Sequence, residues 1–239
     1  MAQIINYSNI IYAILIGFLP ALFWLWFWLR EDCHPEPRRM ILLTFLAGMI
    51  VIPIALVAEK IIYSSFLYLK LATENYYGFA MLLLWAGVEE YLKYAAAYKA
   101  ALRKKAFDEP VDALIYLITA ALGFAAFENV LFVLKDFGMQ GFLPGILSAN
   151  FRFLGPTLVH VASSALVGVS ISFSFFHKEH IKRNIVGGLI LATFLHALFN
   201  YFIIKNGDKD ILKIFLSVWF VIILVIFLFE KIKKLRNKK

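Results

Sequence analysis

The chain contains seven runs of about 20 apolar residues each. In none of them do apolar and polar residues alternate. Runs of that length cross a bilayer as helices, whereas the strands of a membrane barrel alternate in polarity. Short polar linkers separate the runs, which is typical of one domain. The predicted spans are residues 10–29, 40–58, 78–102, 111–134, 153–176, 185–204 and 211–229.

The second run has two possible ends. It contains Pro53, which predicts a bend. It either ends near Ala58 or continues past Glu59 and Lys60 toward Leu69.

The composition fits a membrane protein. Hydrophobic residue types make up 62% of the 239 residues and charged types only 17%, against about 25% charged in soluble domains. Inside lipid the backbone must satisfy its own hydrogen bonds. We therefore predict an all-α, polytopic helical bundle that forms a single transmembrane domain over residues 1–239, with a motif-bearing core at about 78–204.

The basic residues predict the orientation. Of the 24 Lys and Arg residues, sixteen lie in the loops and tail on one side, seven lie on the other, and Lys93 lies within a span. Cytoplasmic loops carry the excess of basic residues, so we expect the N-terminus outside and the C-terminus in the cytoplasm. The basic tail at 231–239 favours contact with anionic lipid rather than nucleic acid.

Several polar residues lie where lipid should exclude them. An ionisable group at the centre of a membrane helix costs about 2.5–3.5 kcal/mol on insertion scales, and such groups usually have a function. In this chain they are Glu89, Glu90 and Lys93 in the third span, Glu128 and Asn129 in the fourth, His160 in the fifth, and His196 and Asn200 in the sixth. Counted inward from the predicted outer helix ends at 1.5 Å per residue, Glu89, Glu90, Glu128, His160 and His196 fall near one level. We therefore expect Glu89 or Glu90, Glu128, His160 and His196 to line one polar cavity.

Carboxylates and imidazoles in a low-dielectric cavity suit the activation of water. A glutamate can act as the general base, and histidines can bind a metal or stabilise an oxyanion. Lys93 follows Glu90 by three residues and Glu89 by four, so it can pair with either. We expect Lys93 to hold Glu89 more tightly, which slightly favours Glu90 as the base.

Other functions remain open at this stage. Asn129 alone favours an interhelical hydrogen bond, and Glu89 with Lys93 could form a structural ion pair. The same cluster could carry protons or cations through an ion-coupled transporter or channel. A non-catalytic scaffold that binds lipid or a partner helix is a further alternative.

At these residues the chain resembles the PrsW family of intramembrane proteases, which is related to the CAAX prenyl endopeptidases. The resemblance covers roughly residues 85 to 202. It rests on a set of motifs that occur in order along the chain. They are Glu89-Glu90-Tyr-Leu-Lys93, Asp112-Ala-Leu-Ile-Tyr116, Gly123-Phe124-Ala-Ala-Phe-Glu128-Asn129, Arg152 with His160, and His196-Ala-Leu-Phe-Asn200.

The resemblance implies a protease in a bacterial or archaeal plasma membrane that cleaves a membrane-anchored protein such as an anti-sigma factor. It leaves two options for the cofactor, zinc or none, with Glu128, His160 and His196 as candidate ligands. The catalytic residues that it implies are Glu89, Glu90, Glu128, His160 and His196, and the supporting residues are Lys93, Asn200, Phe124, Asn129 and Arg152.

The motifs depart from those of the prenyl endopeptidases at two positions. Those enzymes carry His where this chain has Glu128, and Lys93 comes one residue earlier than their Arg. Both departures favour the PrsW branch. The zinc signature HExxH is absent from the sequence.

Overall fold

A computed structural model describes residues 7–71, 78–142, 155–206 and 211–235, and there the chain is built of helices. A π-helical turn, Tyr98–Leu102, extends α4, and a 3-10 turn, Lys178–His180, precedes α7. The helices are α1 (Tyr7–Arg30), α2 (Arg38–Ile50), α3 (Ile52–Tyr68), α4 (Phe79–Ala97), α5 (Asp112–Gln140), α6 (Pro156–Ser172), α7 (Ile181–Asn206) and α8 (Ile211–Ile232).

The helices confirm the predicted all-α membrane bundle. Because α2 and α3 follow one another almost without a break, the described helices make seven passes. Within the part of the chain that the structure describes, five segments are long and apolar enough to cross a membrane: Tyr7–Arg30, Arg38–Tyr68, Asp112–Met139, Lys178–Lys205 and Leu212–Ile232. The other two passes are α6, which has 17 residues, and α4, which carries three charged side chains.

The second pass continues to Tyr68, as the longer of the two predicted endings requires. The ending near Ala58 was therefore wrong. The helix is interrupted at Val51, and Pro53 then lies in the first turn of α3. An N–H group at that position has no partner within the helix, so its absence from proline costs no hydrogen bond. Glu59 consequently belongs to a membrane-spanning helix and not to a loop.

The fifth pass is shorter than predicted. It ends at Ser172 and not at Phe176, and the predicted start at residue 153 lies outside the described residues. The Ser172 hydroxyl is 2.8 Å from the Gly168 carbonyl oxygen and 2.6 Å from the Pro110 carbonyl oxygen. Serine hydroxyls compete in this way for carbonyls near helix ends, and this one also ties α6 to the loop before α5.

Helix α5 is the centre of the bundle and packs against α1, α2, α4 and α6. Two glycines bring α2 and α5 into backbone contact. A Cβ atom on Gly48 would lie 2.0 Å from the Ala120 carbonyl oxygen, and one on Gly123 would lie 2.0 Å from the Phe45 carbonyl oxygen. Small residues allow this close approach between membrane helices. The contact fixes the position of α5, which carries Phe124 and Glu128.

Candidate active site

A cavity of about 350 Å³, called the central cavity below, opens among α3, α4, α5, α6 and α7. Its lining from α4, α5, α6 and α7 comes from the middle of these helices and from the halves on the side predicted to face outward. Most lining residues are apolar. The polar ones are Glu59, Trp85, Glu89, Glu128, His160, His196 and Asn200.

The deepest polar groups of the central cavity are Glu89, His160 and His196. Glu89 Oε2 is 3.8 Å from His160 Nδ1 and 3.8 Å from His196 Nε2. The two imidazole rings are perpendicular, with centroids 4.9 Å apart. All three side chains are buried, and one ligand atom from each lies within 4.8 Å of the others.

Glu90 is one residue from Glu89 but has a different environment. Its Oε1 accepts hydrogen bonds from Lys93 Nζ at 2.6 Å and Ser163 Oγ at 2.8 Å, and lies 2.9 Å from His196 Nδ1. Its Oε2 accepts from Ser164 Oγ at 3.0 Å. Glu90 does not line the central cavity. It therefore joins α4 to α6 and α7 behind the cavity wall.

Lys93 is the buried cation of this network. Its Nζ is 2.6 Å from Glu90 Oε1, 3.5 Å from Glu89 Oε2 and 2.7 Å from His160 Nδ1. The same atom lies 4.6 Å from the centroid of the Phe124 ring. The expectation that Lys93 holds Glu89 more tightly than Glu90 was wrong, because Lys93 Nζ lies 2.6 Å from Glu90 Oε1 and 3.5 Å from Glu89 Oε2. The argument that favoured Glu90 as the base is thereby lost.

His160 connects Lys93 to the more exposed Glu128. Its Nε2 lies 3.0 Å from Glu128 Oε2, on the side opposite the Lys93 contact. The side chain of Glu128 is 19% exposed, against 8% for Glu89. The ring of Phe124 packs beside the imidazole at 5.4 Å. Both nitrogens of His160 are thus engaged.

The remaining candidate residues divide into three groups. Phe124 and Asn200 line the central cavity. Asn129 does not, and its Nδ2 donates to Thr157 Oγ1 at 3.0 Å, which is the interhelical hydrogen bond expected of it. Arg152 lies outside the described residues.

The prediction of the site overlooked Glu59, Ser163 and Ser164. Glu59 enters the central cavity from α3, and Trp85 Nε1 donates to its carbonyl oxygen at 3.1 Å. A span continuing to Leu69 would have placed Glu59 among the buried acids. The two serines follow His160 by three and four residues, a helical spacing that places all three on one face.

A second group of carboxylates, Glu36, Asp108 and Asp112, lies at the opposite end of the bundle. Asp112 Oδ2 accepts hydrogen bonds from the backbone N–H groups of Asp108 at 2.9 Å and Glu109 at 2.7 Å. Tyr116 donates to Glu36, whose pKa is raised chiefly by burial. These contacts fasten the loop before α5, which gives the Asp112–Tyr116 motif a structural explanation.

Comparison with known proteins supplies the context for this geometry. A family described as "PrsW family intramembrane metalloprotease" matches residues 36–228. Protease PrsW of Geobacillus kaustophilus is 27% identical over 76% of this chain and 74% of its own length. That of Oceanobacillus iheyensis is 26% identical over 90% and 92%, and that of Bacillus subtilis is 24% identical over 89% of each. No solved structure matches the chain significantly.

Proposed function

Since this chain belongs to the PrsW family of intramembrane metalloproteases, we propose that it hydrolyses a peptide bond of a membrane-anchored protein inside the central cavity. The convergence of Glu89, His160 and His196 beside Glu128 carries the proposal. The substrate class is a single-span regulatory protein of the anti-sigma-factor type. The membrane is the plasma membrane of a bacterial or archaeal cell.

The donor set fits a divalent metal such as zinc. Two imidazoles and one carboxylate are the protein ligands of many zinc proteases. Glu89 Oε2 is buried and has no hydrogen-bond partner among the described residues, and such an atom is costly unless something compensates it. Glu89, His160 and His196 would hold the ion, which when bound supplies Lewis-acid polarisation of the scissile carbonyl and of water. His160 can offer a lone pair only by releasing Lys93 or Glu128.

Glu90 prepares His196 for this role. A carboxylate accepts hydrogen bonds only, so the contact at 2.9 Å places the proton of His196 on Nδ1. The lone pair of Nε2 then points toward Glu89 and the central cavity. Carboxylates commonly fix the tautomer of metal-binding histidines in this way. Ser163, Ser164 and Lys93 hold Glu90 in place, so the histidine has a rigid support.

Glu128 is our candidate for the general acid and base. It lines the central cavity, is the more exposed of the two glutamates beside His160, and bonds to that histidine. We assign it the removal of a proton from the attacking water and the delivery of that proton to the leaving amine. Glu90 cannot do so because it lies behind the cavity wall and already accepts four hydrogen bonds.

The rest of the cavity suits a peptide in the membrane. Asn200 lies one helical turn from His196 and presents an amide that can donate to a carbonyl oxygen. Apolar side chains such as Ile52, Leu131 and Ile203 form the walls and exclude bulk water. A transporter would need polar groups along both halves of the bundle. The central cavity is lined by the middle and the outward halves of the helices and does not extend along their inward halves, which favours hydrolysis over transport.

Proteolysis by purified protein tests the proposal. The protein is reconstituted in liposomes with single-span reporter proteins and incubated with and without a zinc chelator. We expect a reporter to be cleaved, cleavage to stop with the chelator, and zinc to restore it. Absence of cleavage across a panel of reporters, with the protein folded and zinc bound, would contradict a protease. Cleavage that persists after the metal is removed would contradict the metal site.

A further inference from the structure

A second cavity, of about 470 Å³, lies between α1 and α2 near the loop that joins them, and is called the α1–α2 groove below. It shares no lining residue with the central cavity. Both helices pack on α5 and leave the groove between them. Leu25, Ile41 and Phe45 form its floor and are at most 9% exposed, whereas Leu42 and Leu46 are 57% and 40% exposed. The groove is therefore apolar and open toward the membrane.

The length of the groove matches one leaflet of a bilayer. At its inner end the rings of Phe18 and Phe45 meet, with centroids 6.2 Å apart. Leu29 lines the other end, eleven residues after Phe18 along α1. At 1.5 Å per residue that distance is about 16 Å, close to half of a hydrocarbon core about 30 Å thick. A partner helix that crosses the membrane needs the full thickness, whereas the acyl chain of a lipid needs one half.

Two side chains of opposite charge line the mouth of the groove. Glu36 belongs to the α1–α2 loop, and Arg38 is the first residue of α2. Arg38 is exposed, and among the described residues it forms no ion pair, even with Glu36. Tyr116 donates to Glu36, and one carboxylate oxygen each of Glu36, Asp108 and Asp112 lie within 4.8 Å of one another. A cation beside Glu36 would lower the repulsion among these acids.

We infer that the α1–α2 groove binds one phospholipid whose headgroup carries a primary amine, of the phosphatidylethanolamine type. An acyl chain fills the groove, Arg38 binds the phosphate, and the ammonium group donates to Glu36. The Cα atoms of residues two apart are at most about 7 Å from each other. One headgroup, with a two-carbon link between phosphate and amine, can therefore reach both side chains. Basic groups between membrane helices are typical sites for lipid phosphates. A headgroup with negative charge alone would be repelled by Glu36.

Native mass spectrometry tests the choice of headgroup. The delipidated protein in detergent is titrated with phosphatidylethanolamine, phosphatidylglycerol, phosphatidylcholine and diacylglycerol that carry the same acyl chains. We expect one phosphatidylethanolamine to bind at least about tenfold more tightly than the other three. Phosphatidylglycerol has no cation, phosphatidylcholine has no N–H to donate, and diacylglycerol has no phosphate. Equal binding of all four, tighter binding of phosphatidylglycerol, or a dimer of this chain that excludes the lipid overturns the inference.

Variants and a soluble headgroup then test the location. Arg38→Gln and Glu36→Gln should each abolish the preference for phosphatidylethanolamine, and Leu46→Trp, which adds bulk inside the groove, should weaken its binding at least about tenfold. The matched controls are Arg183→Gln and Leu191→Trp, two exposed positions of α7, and both should bind as the wild type does. Circular dichroism checks that each variant is folded. Free glycerophosphoethanolamine should not bind at the same concentrations. A preference that survives both charge substitutions, or equal binding of the free headgroup, overturns the inference.

Discussion

Glu90 Oε1 and His196 Nδ1 lie 2.9 Å apart and link α4 to α7 through two buried side chains. The two adjacent glutamates therefore have different surroundings. Glu90 lies behind the cavity wall in contact with His196, whereas Glu89 lines the cavity and its Oε2 has no hydrogen-bond partner among the described residues.

The first prediction concerns this link. Glu90→Gln keeps the shape of the side chain but loses the charge that orients His196 and pairs with Lys93. Zinc affinity and the rate of cleavage should each fall by about 10–100-fold, while circular dichroism shows a folded protein. Glu179→Gln serves as the control with normal affinity. Wild-type zinc affinity in Glu90→Gln would remove its supporting role.

The second prediction separates metal binding from proton transfer. Glu128→Gln should slow hydrolysis by at least about 100-fold, the effect of losing a general base, while zinc still binds, with an affinity lowered by no more than the roughly 10–100-fold expected for a carboxylate bonded to a ligand histidine. Glu89→Gln should lose both. Zinc binding by calorimetry and cleavage of the same reporter distinguish the two variants. If Glu128→Gln retains normal turnover, Glu128 is not the base.

The third prediction concerns the packing of α2 on α5. In Gly123→Ala the added methyl group meets the Phe45 carbonyl oxygen, a backbone atom that cannot move aside. We expect a loss of stability of at least about 1–3 kcal/mol, measured by unfolding of the detergent-solubilised protein. Gly187→Ala is the matched control, because nothing lies within 4 Å of its added atom. That variant should be unchanged or stabilised by up to about 1 kcal/mol. Equal stability of the two variants would contradict the close contact.

The fourth prediction concerns orientation. Cys33 is the single cysteine of the chain and is exposed in a loop that the distribution of basic residues predicts to be cytoplasmic. A membrane-impermeant maleimide should fail to label it in intact cells and should label it after permeabilisation. Cys33→Ser combined with Leu71→Cys moves the thiol to the opposite side and should reverse the result. Labelling of Cys33 in intact cells would invert the predicted orientation.

The hydrophobic pattern alone was sufficient to predict the helical architecture and the common depth of the polar residues. Counting 1.5 Å per residue from the helix ends brought Glu128, His160 and His196 to one level, and the structure places them around one cavity. The catalytic roles given to these residues stay predictions.

Rotation about each helix axis was harder to predict. Glu89 and Glu90 differ by about 100° around α4, and only the packing of α4 against α6 and α7 decides which of them faces the cavity. The sequence also allowed Lys93 to pair with either acid, since both lie within about one turn on its own helix. Glu59 was overlooked for another reason: the sequence left open whether the second span ends near Ala58 or continues toward Leu69, and only the longer ending includes Glu59.

The buried network around Lys93 has a consequence for biosynthesis. Helix α4 is inserted into the membrane before α6 and α7 have been translated, although it carries Glu89, Glu90 and Lys93 in its interior. Until His160, Ser163, Ser164 and His196 arrive, the pairing of Lys93 with the acids of its own helix is the main compensation for those charges. The stable placement of α4 in the membrane therefore depends on α6 and α7, which are synthesised more than 60 residues later.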